Sequence, residues 1–165
     1  MEKPQRKQNR LTDFSYSRAG AYFITICAIE GQGIFSKILP GDIVTPPAVV
    51  LTHYGRIVEK YIIAIHETYP DVTVDKYVIM PNHIHMILSL RGDTLEKIND
   101  PANDRIPFLI STLKRFSNKE AGNKLWQRSY HDHVIRNSQD YQQHWKYIDE
   151  NPLKWMEDDY YFPDI

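Results

Sequence analysis

Residues 74–90 read VDKYVIMPNHIHMILSL and place two histidines, His83 and His85, inside an apolar run. Alternate residues of a β-strand project to the same side, so a strand that begins at His83 would present both imidazoles on one face. Pro81 and Asn82 come just before the pair and predict a break or bulge, a feature that often re-aims side chains near sites. The stretch therefore predicts two successive strands, the second of which carries the histidine pair.

The remainder of the chain predicts an α+β domain. Alternating β-branched and aromatic residues predict strands over 22–29, 71–80, 83–90 and 125–135, with a short hairpin return over 31–38. Apolar residues at helical spacing predict helices over 47–69, 106–120 and 139–150. The order β-β-α-β-β-α-β-α predicts an antiparallel sheet in a sandwich, with helices packed mainly on one face.

The bulk composition narrows the class of protein. A chain of 165 residues with 42% hydrophobic and 25% charged residues is expected to form one domain. A single cysteine, Cys27, excludes an intrachain disulfide framework, and its apolar surroundings predict a core residue. No apolar run approaches the ~20 residues of a membrane span, and the polar N-terminus lacks the core of a signal peptide. We therefore expect a soluble intracellular protein with no membrane partner.

Charge is distributed unevenly although the net charge is −1. Residues 1–20 hold five basic and two acidic side chains, and residues 105–136 hold seven basic and two acidic ones. Residues 149–165 hold six acidic side chains and one basic one. Two basic segments and an acidic tail can polarise a surface toward an anionic partner, although solvated charged faces have the same composition.

The histidine pair alone leaves several functions open. Two imidazoles on one strand face can share a divalent metal, but ordinary strand histidines bonded to their neighbours have the same spacing. A second triplet, His131–Asp132–His133, repeats the spacing in a later predicted strand. Two such strands facing each other could hold one zinc through four nitrogens. The repetition also suggests a two-motif phosphodiesterase, although those enzymes usually have a hydroxyl residue after the histidine.

The last predicted helix adds a tyrosine and an asparagine. Tyr147 and Asn151 are four residues apart and share a helix face. A phenol can act as a nucleophile, and an amide oxygen is a hard metal ligand. The spacing is equally compatible with an aromatic packed on the sheet and with a helix end before Pro152. His144 lies three residues before Tyr147 and can approach the same face.

Taken together, three segments resemble a known family. YVIMPNHIHMIL, LWQRSYHDHVIR and YIDENPLKW, with a basic helix between the first two, resemble the REP-associated tyrosine transposases. These belong with the IS-two-hundred-like transposases, the single-tyrosine members of the HUH nucleases (His-hydrophobic-His). The resemblance covers about residues 22–155, and it implies a ferredoxin-like fold with the histidine strand central in the sheet.

The resemblance also implies a chemistry and a set of residues. His83 and His85 match the metal-binding pair, and Asn151 matches the position that completes the metal site, for Mg²⁺ or Mn²⁺. Tyr147 matches the nucleophile that cleaves single-stranded DNA through a 5′-phosphotyrosine link before strands are rejoined. The role of His131 and His133 is not assigned by the resemblance.

The implied partner is single-stranded or hairpin DNA from REP-like elements or insertion-sequence ends. The resemblance implies a monomer or a homodimer, located in the cytoplasm and associated with the nucleoid. The predicted organisation is a basic arm over 1–20, the transposase domain over 21–156 and an acidic tail over 157–165. Basic side chains in two segments are predicted to contact DNA: Lys3, Arg6, Lys7, Arg10, Lys114, Arg115, Lys119, Lys124, Arg128 and Arg136. Two other functions remain open besides the transposase. One is a non-enzymatic nucleic-acid-binding module with the same ferredoxin-like fold, like an RRM, and the other is a zinc-dependent four-histidine hydrolase.

Overall fold

A computed structural model describes residues 20–91 and 104–161 of the chain. The described strands are β1 (Gly20–Cys27), β2 (Ser36–Leu39), β3 (Ala48–Leu51), β4 (Val72–Ile79), β5 (His83–Leu90) and β6 (His131–Ile135). The described α-helices are α1 (His53–Thr68), α2 (Arg105–Ala121) and α3 (Ser138–Glu150). No helix within these two ranges is long and apolar enough to cross a membrane.

Four strands form the main sheet in the order β4-β5-β1-β6, and every neighbouring pair is antiparallel. With α1 between β1 and β4 and α2 between β5 and β6, this is the βαββαβ arrangement of a ferredoxin-like sandwich. The strand β5 lies between β4 and β1 and is therefore central. The predicted fold class and the central position of the histidine strand are confirmed.

The hydrophobic core lies on one face of this sheet, under α1 and α2. Strand residues that alternate with the histidines point into it and are fully buried: Ile24, Ile26, Ile84, Met86 and Leu88. The helices contribute apolar residues at turn spacing: Val58, Ile62, Ile65, Leu109, Ile110 and Leu113. Packing of this face is what fixes the register of β5, because a slip of one residue would exchange the histidines with core residues.

The third helix covers the opposite face of the sheet. Phe23 projects from β1 on this side, and its ring contacts the rings of His85, His144 and Tyr147. Two helices therefore pack on the apolar face, and α3 packs over the histidines.

The first helix begins later than the sequence predicted. The predicted helix over 47–69 starts at His53, because Ala48–Leu51 forms β3 and pairs with β2 in a separate two-stranded sheet. Val49 and Val50 are β-branched and suit a strand, and Thr52 caps the helix by accepting a hydrogen bond from the Gly55 amide. The predicted strand over 125–135 is likewise shorter, since regular pairing covers only His131–Ile135.

We expect Gly55→Ala to destabilise the fold strongly. A Cβ at this position would lie 1.9 Å from the backbone carbonyl oxygen of Phe35, and that oxygen cannot move without shifting the chain before β2. The free energy of unfolding, from urea titration, should fall by about 3 kcal/mol, at the upper end for overpacking. Gly33→Ala is the matched control, because its Cβ would meet nothing closer than 3.8 Å. Equal stability of the two variants would contradict this close approach.

Candidate metal and nucleophile site

The two histidines of β5 form the centre of a buried polar site. His83 and His85 are 0% and 2% exposed, and their ring centroids lie 4.5 Å apart. The Nε2 atom of each ring is buried and makes no hydrogen bond to the described residues. Buried polar atoms are usually satisfied, so two adjacent unpaired imidazole nitrogens indicate a site for a ligand.

Asn82 fixes the orientation of the His83 ring. The Asn82 side-chain nitrogen donates to the backbone carbonyls of Gly31 and Tyr160, at 3.3 and 2.6 Å. Its oxygen therefore faces His83 Nδ1 at 2.8 Å and can only accept a hydrogen bond. His83 thus carries its proton on Nδ1 and leaves a lone pair on Nε2. This is the outer-shell arrangement that orients metal-binding histidines.

His85 is held from the neighbouring strand. Thr25 lies directly opposite in the β1–β5 ladder, and its hydroxyl lies 2.7 Å from His85 Nδ1. The Phe23 ring stacks on the His85 ring with centroids 5.2 Å apart. With both contacts in place, the Nε2 atom of His85 points toward the same space as the Nε2 atom of His83.

Both imidazoles are neutral at pH 7. Burial lowers the pKa of His83 to about 4, although the negative charge of Asp158 acts in the opposite direction. Burial also lowers the pKa of His85 well below its ordinary value, and the neighbouring His83 adds to that shift. Neutral imidazoles are the form that binds metal ions.

We expect the metal-free protein to lose stability on mild acidification. Between pH 6.5 and about 4 the unfolded chain binds a proton at His83 and the folded chain does not, so stability falls as pH falls through this window. Between pH 7 and pH 4.5 the loss from His83 should be roughly 2 to 3 kcal/mol. Urea unfolding in a chelator, compared with His83→Gln, measures this contribution. A variant with the same pH dependence as the wild type would contradict it.

Asn151 and Tyr147 approach the pair from α3. Asn151 is 3% exposed, and its side-chain oxygen is buried without a hydrogen bond to the described residues. The Tyr147 ring lies 5.2 Å from the His85 ring, centroid to centroid, and 44% of the residue is exposed. The predicted site residues His83, His85, Tyr147 and Asn151 are thus brought together. Burial raises the pKa of the Tyr147 phenol, and the charge of Asp158 raises it further.

Two residues of the acidic tail also belong to this site, and the sequence analysis missed them. The Asp158 carboxylate is 3% exposed, accepts a hydrogen bond from the Asn151 amide nitrogen at 3.0 Å, and lies 4.0 Å from His83 Nε2. The Tyr160 ring packs 4.5 Å from the His83 ring. In the sequence, only the acidic character of this segment was visible.

The donor set fits a divalent metal. Ligand atoms of His83, His85 and Asp158 lie within 4.8 Å of one another, and the unpaired Asn151 oxygen is on the adjoining helix end. The two imidazole nitrogens would favour Mn²⁺, and the amide and carboxylate oxygens would also suit Mg²⁺. The unpaired atoms, rather than the sequence spacing, are the evidence that an ion fits here.

The second histidine triplet does not join the first. His133 contacts Asp140 and His144, and the described residues contain two separate candidate metal groups. The strand β1 lies between β5 and β6, which keeps the two pairs of histidines apart. A single four-histidine zinc site is therefore not formed.

The basic residues of 105–136 are spread over different surfaces. Arg115 and Lys119 are exposed on α2, on the far side of the sheet from the histidines. Lys114 donates to the carbonyls of Gln127 and Ser129, and burial lowers its pKa to about 8, so it supports the chain before β6.

Lys124, Arg128 and Arg136 are exposed. Lys124 and Arg128 lie on either side of Gln127, whose backbone amide donates a hydrogen bond to the Cys27 carbonyl at the end of β1. Cys27 is opposite His83 in the β1–β5 ladder, so this segment lies beside the histidine pair. The predicted arm residues Lys3, Arg6, Lys7 and Arg10 lie outside the described residues.

Comparisons with known proteins identify relatives. An uncharacterised protein of Haemophilus influenzae is 31% identical over 174 residues, covering 94% of this chain and 93% of that protein. The REP-associated tyrosine transposase of Escherichia coli is 29% identical over 105 residues, covering 64% of this chain and 58% of that protein. The solved structure of a REP-associated tyrosine transposase bound to a REP hairpin superimposes with a TM-score of 0.62 at 22% identity, covering 93% of this chain and 74% of that one. No family model matches.

Proposed function

We propose that the chain is a member of the REP-associated tyrosine transposase family, as its relatives support, and that it cleaves and rejoins single-stranded DNA through Tyr147 with a divalent metal at His83 and His85. One observation carries the proposal. Three buried side-chain atoms that make no hydrogen bond within the described part of the chain, on His83, His85 and Asn151, converge next to a half-exposed phenol. A packed structural cluster would have paired these atoms with each other or with the backbone.

The position of Tyr147 suits an attacking group. Its ring contacts His85 on one side and remains open to solvent on the other, so a DNA strand can reach the oxygen. Tyr141 is a poor candidate on the same helix, because its hydroxyl donates to Asp75 on β4 and its pKa is raised to about 12. Among the tyrosines of α3, Tyr147 is therefore the one that faces the histidines.

The reaction is a transesterification at phosphorus. The Tyr147 oxygen forms a bond to phosphorus, the phenolic proton is lost, and the 3′ oxygen leaves and takes a proton to become a 3′-hydroxyl. The 5′-phosphotyrosine link retains the energy of the phosphodiester, so attack by a 3′-hydroxyl on the link rejoins strands without ATP. The phenol is protonated at neutral pH, since both burial and Asp158 raise its pKa.

The metal would be Mg²⁺ or Mn²⁺, held by His83, His85 and Asn151, with Asp158 close enough to add a carboxylate. When bound, such an ion neutralises charge on the phosphate and favours the ionised phenol. The chain supplies the rest: Asn82 and Thr25 orient the two imidazoles, and α3 presents the phenol and the amide from consecutive turns.

The proposed substrate is single-stranded DNA next to a hairpin. The related transposase whose structure superimposes was solved with a REP hairpin. Here, Lys124 and Arg128 are exposed beside the end of β1 that pairs with His83, a position from which cations can bind phosphates. The basic arm over 1–20 would add further phosphate contacts. Either a monomer or a homodimer could bind the DNA in this way.

Covalent capture of DNA tests the proposal. Labelled oligonucleotides with REP-like hairpins from the surrounding genome are incubated with the protein and resolved on a denaturing gel. We expect a shifted adduct with Mg²⁺ or Mn²⁺ and none in excess chelator, because the phosphate charge is then not neutralised. Adduct formation in chelator would contradict the metal role, and absence of an adduct with every hairpin and either metal would contradict the function.

A further inference from the structure

A second group of side chains of the types that bind metals lies beside the proposed active site and shares no residue with it. His133 comes from β6, and Asp140 and His144 come from the first two turns of α3. The Phe23 ring lies between the two groups, 5.2 Å from the His85 ring and 4.6 Å from the His144 ring.

The ligand atoms of the three side chains lie within 4.8 Å of one another, close enough to share one ion. His133 Nε2 lies 2.8 and 3.1 Å from the two carboxylate oxygens of Asp140, and His144 Nδ1 lies 3.0 Å from one of them. The two imidazole rings stack with centroids 4.6 Å apart. In tetrahedral coordination, metal–ligand bonds of about 2.0–2.2 Å put neighbouring ligand atoms about 3.3–3.6 Å apart. The ligand atoms therefore need to separate by less than about 1 Å for an ion to be bound.

The local fold holds these side chains in place. Phe23 and His133 are directly opposite in the β1–β6 ladder, so His133 faces α3. Asp140 and His144 are four apart on the helix and share one face. The Asp140 carboxylate also accepts a hydrogen bond from the Arg136 amide at 3.0 Å, while the Asp140 amide donates to the Asn137 side chain. The carboxylate is thus oriented before any ion binds.

The chemistry of the group selects the kind of ion. The described residues of this group offer two imidazoles and one carboxylate, without the additional amide oxygen that Asn151 adds at the first site. This donor set suits Zn²⁺ or a similar transition ion better than Mg²⁺, which prefers oxygen. The side chains of His133, Asp140 and His144 are 43%, 18% and 22% exposed, so water can complete the coordination. In the absence of an ion the carboxylate accepts a hydrogen bond from His133 Nε2, and His144 Nδ1 lies 2.9 Å from the backbone carbonyl oxygen of Asp140. Each ring must move its proton to the other nitrogen for the facing nitrogen to bind metal.

We propose that His133, Asp140 and His144 form a second metal site, for a divalent transition ion of the zinc class, that ties β6 to α3. An ion there would fix the rotation of α3 about its axis. Tyr147 lies one turn beyond His144, so the same ion would hold the phenol in a constant orientation toward His85. This site does not depend on the proposed cleavage reaction.

Cobalt binding tests the site directly. The probe is Co²⁺, whose visible absorption reports its coordination, added to His83→Ala/His85→Ala, which lacks the first site. We expect about one Co²⁺ per chain, and none after His144→Gln is added. His131→Gln, on the same strand but outside the group, is the matched control and should still bind. No Co²⁺ bound by the folded double variant, or binding that survives His144→Gln, would overturn the proposal.

A second measurement covers the case in which the double variant does not fold, which circular dichroism would reveal. Zinc is then counted by equilibrium dialysis on otherwise wild-type chains. We expect one Zn²⁺ fewer per chain in His144→Gln than in wild type, and an equal count would overturn the proposal. Because zinc is counted without DNA, failure of this site is distinguishable from failure of the cleavage proposal.

Discussion

Tyr147→Phe is expected to abolish covalent capture of a hairpin oligonucleotide. The substitution removes one oxygen and keeps the ring that packs near Phe23 and His85, so the fold and the two imidazoles should be unchanged. Without the oxygen no phosphotyrosine link can form, and the rate of adduct formation should fall at least about 1,000-fold. The measurement is the fraction of labelled DNA that shifts on a denaturing gel over time.

Tyr141→Phe is the matched control for this experiment. Tyr141 lies on the same helix, but its hydroxyl donates to Asp75 rather than facing the histidines. Its variant should capture DNA at a rate close to that of wild type, with some loss of stability from the Asp75 hydrogen bond. Full capture by Tyr147→Phe, or loss of capture confined to Tyr141→Phe, would show that the nucleophile is assigned to the wrong residue.

Much of the fold follows from short-range patterns. The alternation in β5 predicts that His83 and His85 share a face, and the structure confirms a central strand with Ile84 and Met86 in the core. Gly122 ends α2 with a left-handed φ of 69°, a conformation that glycine adopts readily, so a glycine directly after the helical pattern indicates where the helix ends. These features depend on residues close in sequence, which is why periodicity and capping reveal them.

The errors occur where a segment's structure depends on a distant partner. Ala48–Leu51 was assigned to α1 because Val50 continues the helical spacing of Tyr54 and Ile57. Pairing with β2 decides its structure instead, and no local signal reveals that pairing. Intrinsic propensity is a weak prior when a strand partner is available.

The site was predictable only in part for the same reason. The positions of Tyr147 and Asn151 follow from helical spacing and the family resemblance. Asp158 reaches His83 because the chain turns back after α3, and its hydrogen bond with Asn151 is a tertiary contact. His133 was visible as part of a repeated triplet, but its partners Asp140 and His144 emerge only when β6 and α3 are packed together.

His85→Ala is expected to lose cleavage while it retains DNA binding. His85 contributes a buried nitrogen that has no hydrogen bond to the described residues, so its removal takes away a proposed metal ligand and little of the hydrogen-bond network beyond Thr25. The rate of adduct formation should fall at least about 100-fold, because the remaining donors bind the metal less tightly. Salt-dependent binding of a hairpin oligonucleotide, measured by fluorescence anisotropy, should be nearly unchanged, since the proposed phosphate contacts involve basic side chains elsewhere.

His53→Ala controls for the loss of an imidazole, because His53 is exposed on α1, across the sheet from the site. It should leave both cleavage and binding unchanged. If His85→Ala lost binding and cleavage together, with an altered circular dichroism spectrum, the histidine would be a structural residue of β5. If it kept cleavage, the metal would have to be held by other residues. Burial of His85 is compatible with either a metal-binding role or a structural role in the sheet. Measuring DNA binding and cleavage separately therefore distinguishes these two roles.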